Sequence, residues 1–382
     1  MSARGATVIP LRPPADPPPA RPSPRAVVFL LIPVATLLII GLGAIMSATS
    51  VLALRQTGDH LYYFKRQVVF AVIGVALLAV AARVPYRLYR RLAVPILLFA
   101  LAGLVVVLVA GDVRGGARRW IEIGGHTVQP SEFAKFAVIV FLAAAMSRKE
   151  AVLHRFTHFV LPVAASVGLA GLLVMLQPDL GTTLLIAAGA MAVLMASATP
   201  LRYVALSGVL GVAAALALAR TSSYRWARIT AFLDPTGDPL GAGFQATQSL
   251  VAIGTGGWFG IGLGASRARW SFLPNAHTDF IFAIIGEETG FTGALIVLLL
   301  FAVFAAAGTV VALRAPDPFG RMLGIGIVAW LSAQAIVNVG GVTALLPITG
   351  VPLPFVSFGG TALLVNLAAV GVLLNIARAE PA

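Results

Sequence analysis

The chain has 382 residues, of which 59% are hydrophobic and only 11% charged, with a formal net charge of +13 and a mean hydropathy of +0.95. These values exclude a soluble globular protein and point to a polytopic membrane chain. No basic run is interleaved with aromatics in the way a nucleic-acid surface requires, so nucleic acid is not an expected partner. With no cysteine, disulfides and thiol chemistry are excluded too.

Residues 1–25 are rich in Pro, Arg and Ala without periodicity and read as a disordered cytoplasmic tail. The apolar segment after them is too long and too poorly flanked to be a cleaved signal peptide. Apolar runs of about 17 to 25 residues, the length that spans a hydrocarbon core, recur near 26–48, 67–82, 92–110, 132–147, 158–175, 180–198, 202–219, 280–312, 322–345 and 355–377. The expected fold is all-α, with about ten transmembrane helices in one domain over 26–378 and a cytoplasmic end at 379–382. A large extracytoplasmic loop, 220–278, separates helices 7 and 8. No internal repeat is evident, which counts against an inverted-repeat transporter.

Orientation follows from Lys and Arg in short loops. Placing Met1 inside puts fifteen cations in little cytoplasmic sequence: Arg4, Arg12, Arg21, Arg25, Arg83, Arg87, Arg90, Arg91, Arg148, Lys149, Arg155, Arg202, Arg314, Arg321 and Arg378. Both termini are then cytoplasmic. The opposite side carries eleven over longer loops: Arg55, Lys65, Arg66, Arg114, Arg118, Arg119, Arg220, Arg225, Arg228, Arg267 and Arg269. A cationic outer face suits an anionic lipid-linked ligand such as a diphosphate, and equally ordinary anionic lipid.

The first informative outer loop contains Arg118-Arg119-Trp120 and ends in Gln129-Pro130-Ser131-Glu132. Trp120 suits either an interfacial anchor or a ligand contact. Pro130 and Ser131 mark a helix start, and Glu132 and Lys135 share a helix face where they can pair inside the bundle. Asp179, after Gln177-Pro178, reads as an N-cap. In the large loop Asp234 and Asp238 each precede Pro and read as turns. Gln245, Gln248 and Ser249 lie on one side of a short amphipathic helix. The run Gly254 to Gly264 is glycine-dense and could wrap phosphate with backbone N–H groups, although it fits no nucleotide motif.

Asp279 stands where the chain re-enters the bilayer, close to His277, with no Lys or Arg within one turn on its helix. An acid there is costly unless it is paired or working, and partial burial would raise its pKa toward the range of a general base. N-capping of the next helix is the plainer alternative, which Thr278 would serve equally. Glu287 and Glu288 lie two turns deeper and are expected to bond neighbouring helices. The last outer loop, Leu346 to Thr361, is short and Pro-rich, and reads as a lid or docking surface; Ser357 is its one candidate nucleophile, with no His or Asp beside it.

Together these blocks resemble the SEDS family (shape, elongation, division and sporulation) of the FtsW/RodA type. The matching pieces, in order, are Lys65-Arg66-Gln67, Arg119-Trp120 to Glu132, Gln177-Pro178-Asp179-Leu180-Gly181-Thr182, Asp238-Pro239 to Gln248-Ser249, Leu273-Pro274 to Asp279-Phe280, and Leu346-Pro347 to Gly359-Gly360. Thr247-Gln248-Ser249 and Gly256-Gly257-Trp258-Phe259 look more like the division (FtsW) branch; Asn275 and Phe358 depart from the usual acid and Tyr. The resemblance implies a peptidoglycan glycosyltransferase polymerising lipid II, with the acid at Asp279 essential. It also implies a class B penicillin-binding protein and other divisome or elongasome membrane proteins as partners, and a bacterial cytoplasmic-membrane location at the division septum. On that reading Asp279 is the catalytic base, and Lys65, Arg66, Arg118, Arg119, Trp120, Glu132, Lys135, Gln248, His277 and Ser357 are the substrate-binding candidates. A divalent cation (Mg or Mn) could assist with the diphosphate, though no ligand cluster declares one. The rival readings are a lipid II flippase, a lateral-wall (RodA-like) polymerase and a scaffold for a transpeptidase.

Overall fold

The structure, a computed structural model, describes residues 24–114, 117–220, 243–266 and 276–379, with single positions at 226, 230 and 232. Most of the expected tail lies outside the described residues. So do Arg225, Arg228, Arg267, Arg269, the Asp234 and Asp238 turns, Leu273-Pro274-Asn275 and the side chain of Arg114.

The helices are α1 Pro24–Thr57, α2 Tyr62–Ala81, a short α3 Tyr86–Arg91, α4 Ala93–Ala110, α5 Pro130–Arg148, α6 Phe156–Val163, α7 Leu169–Leu176, α8 Leu180–Ala196, α9 Leu201–Arg220, α10 Phe244–Gly256, α11 Ile281–Leu313, α12 Pro318–Val342 and α13 Gly360–Arg378. Pro162, inside α6, has no N–H to give, and a π-turn at Ala164–Gly168 carries that helix into α7. Among the described residues, nine helices are long and apolar enough to cross a membrane, with α6–α7 counted as one; Leu180–Ala196 is a shorter apolar tenth. All ten expected runs are therefore helical. Their ends differ from expectation. α1 continues to Thr57 and α2 begins at Tyr62. α13 begins only at Gly360, because Pro347, Pro352 and Pro354 keep the preceding segment out of a helix.

Successive spans alternate, so the connections sort onto two faces that are knit separately. On the arginine-rich face, Arg378 donates to the Ala82 carbonyl (3.1 Å), Arg321 meets Glu150 (3.6 Å) and the Tyr86 N–H reaches Asn375 Oδ1 (2.8 Å). The opposite face carries Asp279. There the chain from 112 to 128 forms a three-stranded antiparallel sheet, β1 Asp112–Arg114, β2 Ala117–Ile123 and β3 His126–Val128, which the loop reading had not anticipated. Its second hairpin turns on Gly124 and Gly125, at φ +57° and +75°, the pair of positive angles that a two-residue hairpin favours.

α12 is central, packing on α5, α8 and α11 around the fully buried Trp330. α11 is broken. Its 33 residues would extend about 50 Å if straight, against a hydrocarbon core of about 30 Å. At Gly290 (φ +71°) it divides. The first part, Ile281–Glu288, is buried on every side, whereas the part after Gly290 alternates between core and exposed apolar surface. The glycine-dense segment packs into this break. Phe291 N–H donates to Gly257 O (2.8 Å) and Ile261 N–H to Glu287 O (3.0 Å); a Cβ on Gly260 or Gly290 would collide with backbone.

Candidate functional site

Asp279 lies in the turn at 276–280 that leads into α11, half-buried. The N-cap position belongs to Phe280, so neither Asp279 nor Thr278 holds it. The Asp279 carbonyl accepts a hydrogen bond from Asn338 Nδ2 at 2.7 Å, and the same nitrogen donates to the Val351 carbonyl at 2.8 Å. With both amide hydrogens committed to carbonyls, the amide orientation is fixed and Oδ1 remains as an acceptor. That oxygen is buried and unpartnered among the described residues. Asp279, Asn338, Gly341, Thr349 and Gly350 line a pocket of about 10 Å³, room for one water-sized group.

The loop that roofs this pocket is held from several sides. Gln334 Nε2, one helical turn before Asn338 on α12, donates to the Pro352 carbonyl (2.9 Å). Gln67 Nε2 on α2 donates to the Ser357 carbonyl (3.2 Å) and Phe358 N–H to the His277 carbonyl (3.0 Å). Ser357 is buried, and its Oγ accepts from the Leu353 N–H (2.8 Å), so it braces the loop. Phe355 sits at φ +64°, its ring 5.9 Å from that of Phe304 on α11, a strained conformation maintained by its packing.

His277 lies between rings, 5.5 Å from Tyr63 and 5.6 Å from Phe358. Burial pushes its imidazole down to about 4, so it is neutral at neutral pH. Arg66, one turn along α2 from Tyr63, donates to the Tyr62 hydroxyl (2.9 Å) and the Gly125 carbonyl (3.1 Å) and remains half-buried at this edge. Lys65 points into solvent and pairs with Asp59 at 2.8 Å, which holds the Asp59 carboxyl below its usual range.

Glu132 and Lys135 pair as their spacing suggests, at 2.9 Å and almost wholly buried. Lys135 Nζ also donates to Gln334 Oε1 (2.9 Å) and lies 5.1 Å from the Trp330 ring centroid. Because Gln334 also holds Pro352, the pair is wired to the loop beside Asp279. Arg119 is engaged elsewhere: Nε donates to the Gln177 carbonyl (2.9 Å) and Nη2 to that of Pro178. These carbonyls lie just beyond α7, where backbone acceptors are orphaned. Arg118 is exposed and reaches the Leu108 carbonyl near the end of α4 (3.3 Å). Trp120 is half-buried in β2, opposite Asp112.

Gln248 is half-buried on α10; its neighbour Ser249 ties α10 to the end of α12 through the Val342 carbonyl (2.8 Å). Asp179 is the N-cap of α8, accepting from Thr182 N–H at 3.0 Å. Glu287 accepts from Ser266 Oγ (2.5 Å) and Glu288 from Ser47 Oγ of α1, so the acid pair bonds neighbouring segments as expected. The glycine-dense run does not form a phosphate nest: the N–H groups of Gly260, Ile261 and Gly262 go to the carbonyls of Gly256, Glu287 and Glu288. Among the described residues, no three His, Asp or Glu side chains cluster to hold a metal ion. Sequence reasoning missed Gln67, Gln334 and Asn338. Their signal was available, since a buried amide in an apolar helix needs a reason, and 334 and 338 share one face.

The comparisons agree with this architecture. The stage V sporulation protein E of Bacillus subtilis is 41% identical over 91% of this chain and 96% of its own length. A probable peptidoglycan glycosyltransferase FtsW of Trichlorobacter lovleyi is 41% identical over 91% of this chain and 92% of its own. Among solved structures, a chain from a peptidoglycan synthase complex that coordinates polymerization and crosslinking superposes with a TM-score of 0.76 at 29% identity, covering 93% of this chain and 97% of that one. The rod shape determining protein RodA of Thermus thermophilus superposes at 0.67 with 27% identity, over 92% of this chain and 97% of its own. The family of cell cycle proteins named for FtsW, RodA and SpoVE matches residues 28–381; this multi-pass membrane protein belongs to that family.

Proposed function

We infer that the protein is a peptidoglycan glycosyltransferase that polymerises lipid II on the outer face of the cytoplasmic membrane, with Asp279 as general base. The observation that carries this reading is the seating of Asp279. The acid precedes a half-helix buried inside the protein, its main chain is held by the Asn338 amide, and a pocket for one small polar group lies beside it. A sugar hydroxyl fits that pocket chemically: its single proton rests on an acceptor such as Asn338 Oδ1 in the bound state and swings to the Asp279 carboxylate, which takes it as the oxygen attacks. The donor leaves as a lipid diphosphate, already a stable anion, so a second carboxylate acid, needed in glycosidases, is unnecessary. The transfer inverts the anomeric carbon. Arg66 is the best-placed cation for the diphosphate, because Tyr63 on the same helix packs on His277; Arg118 is a second, and Arg119 reads as structural.

The names of the relatives support the activity, and those named FtsW support septal duty. The structural match to a synthase complex supports a class B penicillin-binding protein as partner. The Lys and Arg bias supports cytoplasmic termini, with 26–378 as one SEDS transmembrane domain flanked by the tail 1–25 and the end 379–382.

Lipid II translocation is a second reading, favoured by the break in α11 and the buried Glu132–Lys135 pair, features that transporters use. One assay separates the two. The full-length protein, purified with its cognate partner, is given labelled lipid II. Glycan chains that disappear with Asp279→Asn support the base; equal polymer from that variant refutes it. Translocation without polymer under any condition replaces the enzyme with the flippase.

A further inference from the structure

On the arginine-rich face, far from Asp279 along the spans, Arg87, Arg90 and Arg91 of the α3 segment, Arg148 at the end of α5 and Asp317 before α12 surround a cavity of about 540 Å³. That volume is in the range of small-ligand sites. Topogenesis needs cations in these loops, but it does not need four guanidinium groups from two helices to converge on one basin. Two of the four are set by the fold. Arg148 Nη2 donates to the Arg90 carbonyl at 2.8 Å. Arg87 meets Asp317 at 3.4 Å, and Asp317 in turn caps α12 through Gly320 N–H and accepts from the Tyr86 hydroxyl. Burial and that carboxylate push the Tyr86 phenol up to about 12, so it stays a donor.

Asp317 is thereby occupied, and the nearby Glu150 pairs with Arg321. The Arg90 and Arg91 guanidinium groups have no protein partner among the described residues. The basin therefore carries about three uncompensated positive charges in forks suited to bidentate phosphate contacts. Leu88, Leu92 and Val94, neighbours of these arginines in the chain, are exposed apolar side chains. That puts hydrocarbon-compatible surface beside the cationic one.

We propose that this basin is a guanidinium-built site for paired phosphates, supplied by the headgroup of a diphosphatidylglycerol-type phospholipid in the leaflet on that face. Basic pockets between spans on the cytoplasmic side favour such headgroups. A soluble diphosphate shares the chemistry and is the other source to be distinguished.

The test uses the full-length protein in a neutral detergent. It is titrated with cardiolipin, with phosphatidylcholine as control, and separately with inorganic pyrophosphate; retained ligand is read by native mass spectrometry. The informative variant is Arg90→Lys with Arg91→Lys, which keeps charge and topology but removes the forks. Arg91→Lys alone is a second variant with no protein contact to lose. Retention of cardiolipin over phosphatidylcholine that weakens about tenfold in the double variant, an effect near one bidentate contact (~1.4 kcal/mol), supports the site with a lipid source. Pyrophosphate retention with the same loss supports the site with a soluble source. Equal retention by wild type and both lysine variants overturns it, leaving only diffuse charge, and so does failure of every anion to bind. Wild-type polymerisation is assayed in parallel, so failure of the basin leaves the reading of the Asp279 site untouched.

Discussion

Asn338 donates one amide hydrogen to the main chain of Asp279 and the other to that of Val351, at 2.7 and 2.8 Å. One side chain thus fixes both the segment that carries the acid and the loop that covers it. Asn338→Leu removes both bonds while preserving side-chain bulk. We expect polymerisation to fall by roughly 10- to 100-fold, the scale of a 1 Å misplacement, with a stability loss of about 1–3 kcal/mol for the orphaned carbonyls. Rates on lipid II and apparent melting temperatures check this; a folded variant with full rate would remove Asn338 from the site.

The buried pair of Glu132 and Lys135 should behave as a unit. Lys135→Met or Glu132→Gln alone should destabilise by about 3–5 kcal/mol, because an uncompensated group is left in the interior. The double variant should be less damaged than the sum of the two. A double-mutant cycle on thermal stability measures this, and simple additivity would mean that the two groups do not share their energy.

His277 predicts a pH dependence. Its folded value, about 4, lies below the unfolded one near 6.5, so the unfolded chain binds the extra proton first. The contribution is fully present above pH 6.5 and is lost as pH falls from there to about 4, by at most about 3.5 kcal/mol at 1.4 kcal/mol per unit. His277→Phe, which keeps a ring against Tyr63 and Phe358, should flatten the melting-temperature profile over that window. A profile as steep as wild type would assign the acid sensitivity to another group.

At the helix break, Gly290→Ala or Gly260→Ala forces a side chain into positive φ against facing backbone. We expect losses of at least about 2 kcal/mol. Trp258→Ala, on the same segment but 70% exposed, should cost far less. Comparable melting temperatures for all three would show that the break tolerates filling.

The ten spans were legible because apolar length is a strong signal, and Asp179 and the Glu132–Lys135 pair because caps and i,i+3 neighbours are local. The position of Asp279 at the head of α11 was legible for the same reason. The partners of Arg119 were not, since Gln177 lies 58 residues away and loop cations look alike in sequence. Nor was the break at Gly290: a glycine in an apolar run is common among membrane helices, and only the backbone of the 257–262 segment gives this one its conformation. Nor were the roles of Gln334 and Asn338, because the groups they hold are the backbone carbonyls of Pro352, Asp279 and Val351, which leave no mark in side-chain identity.

The broken α11 has a mechanical consequence. Its exposed apolar surface lies beyond Gly290, so hydrophobic mismatch acts on that part by tilting or sliding it. The segment that carries Asp279 is anchored instead to α12 and its covering loop. The height of the acid is therefore set by the protein scaffold, and membranes of differing composition should leave the geometry around it unchanged.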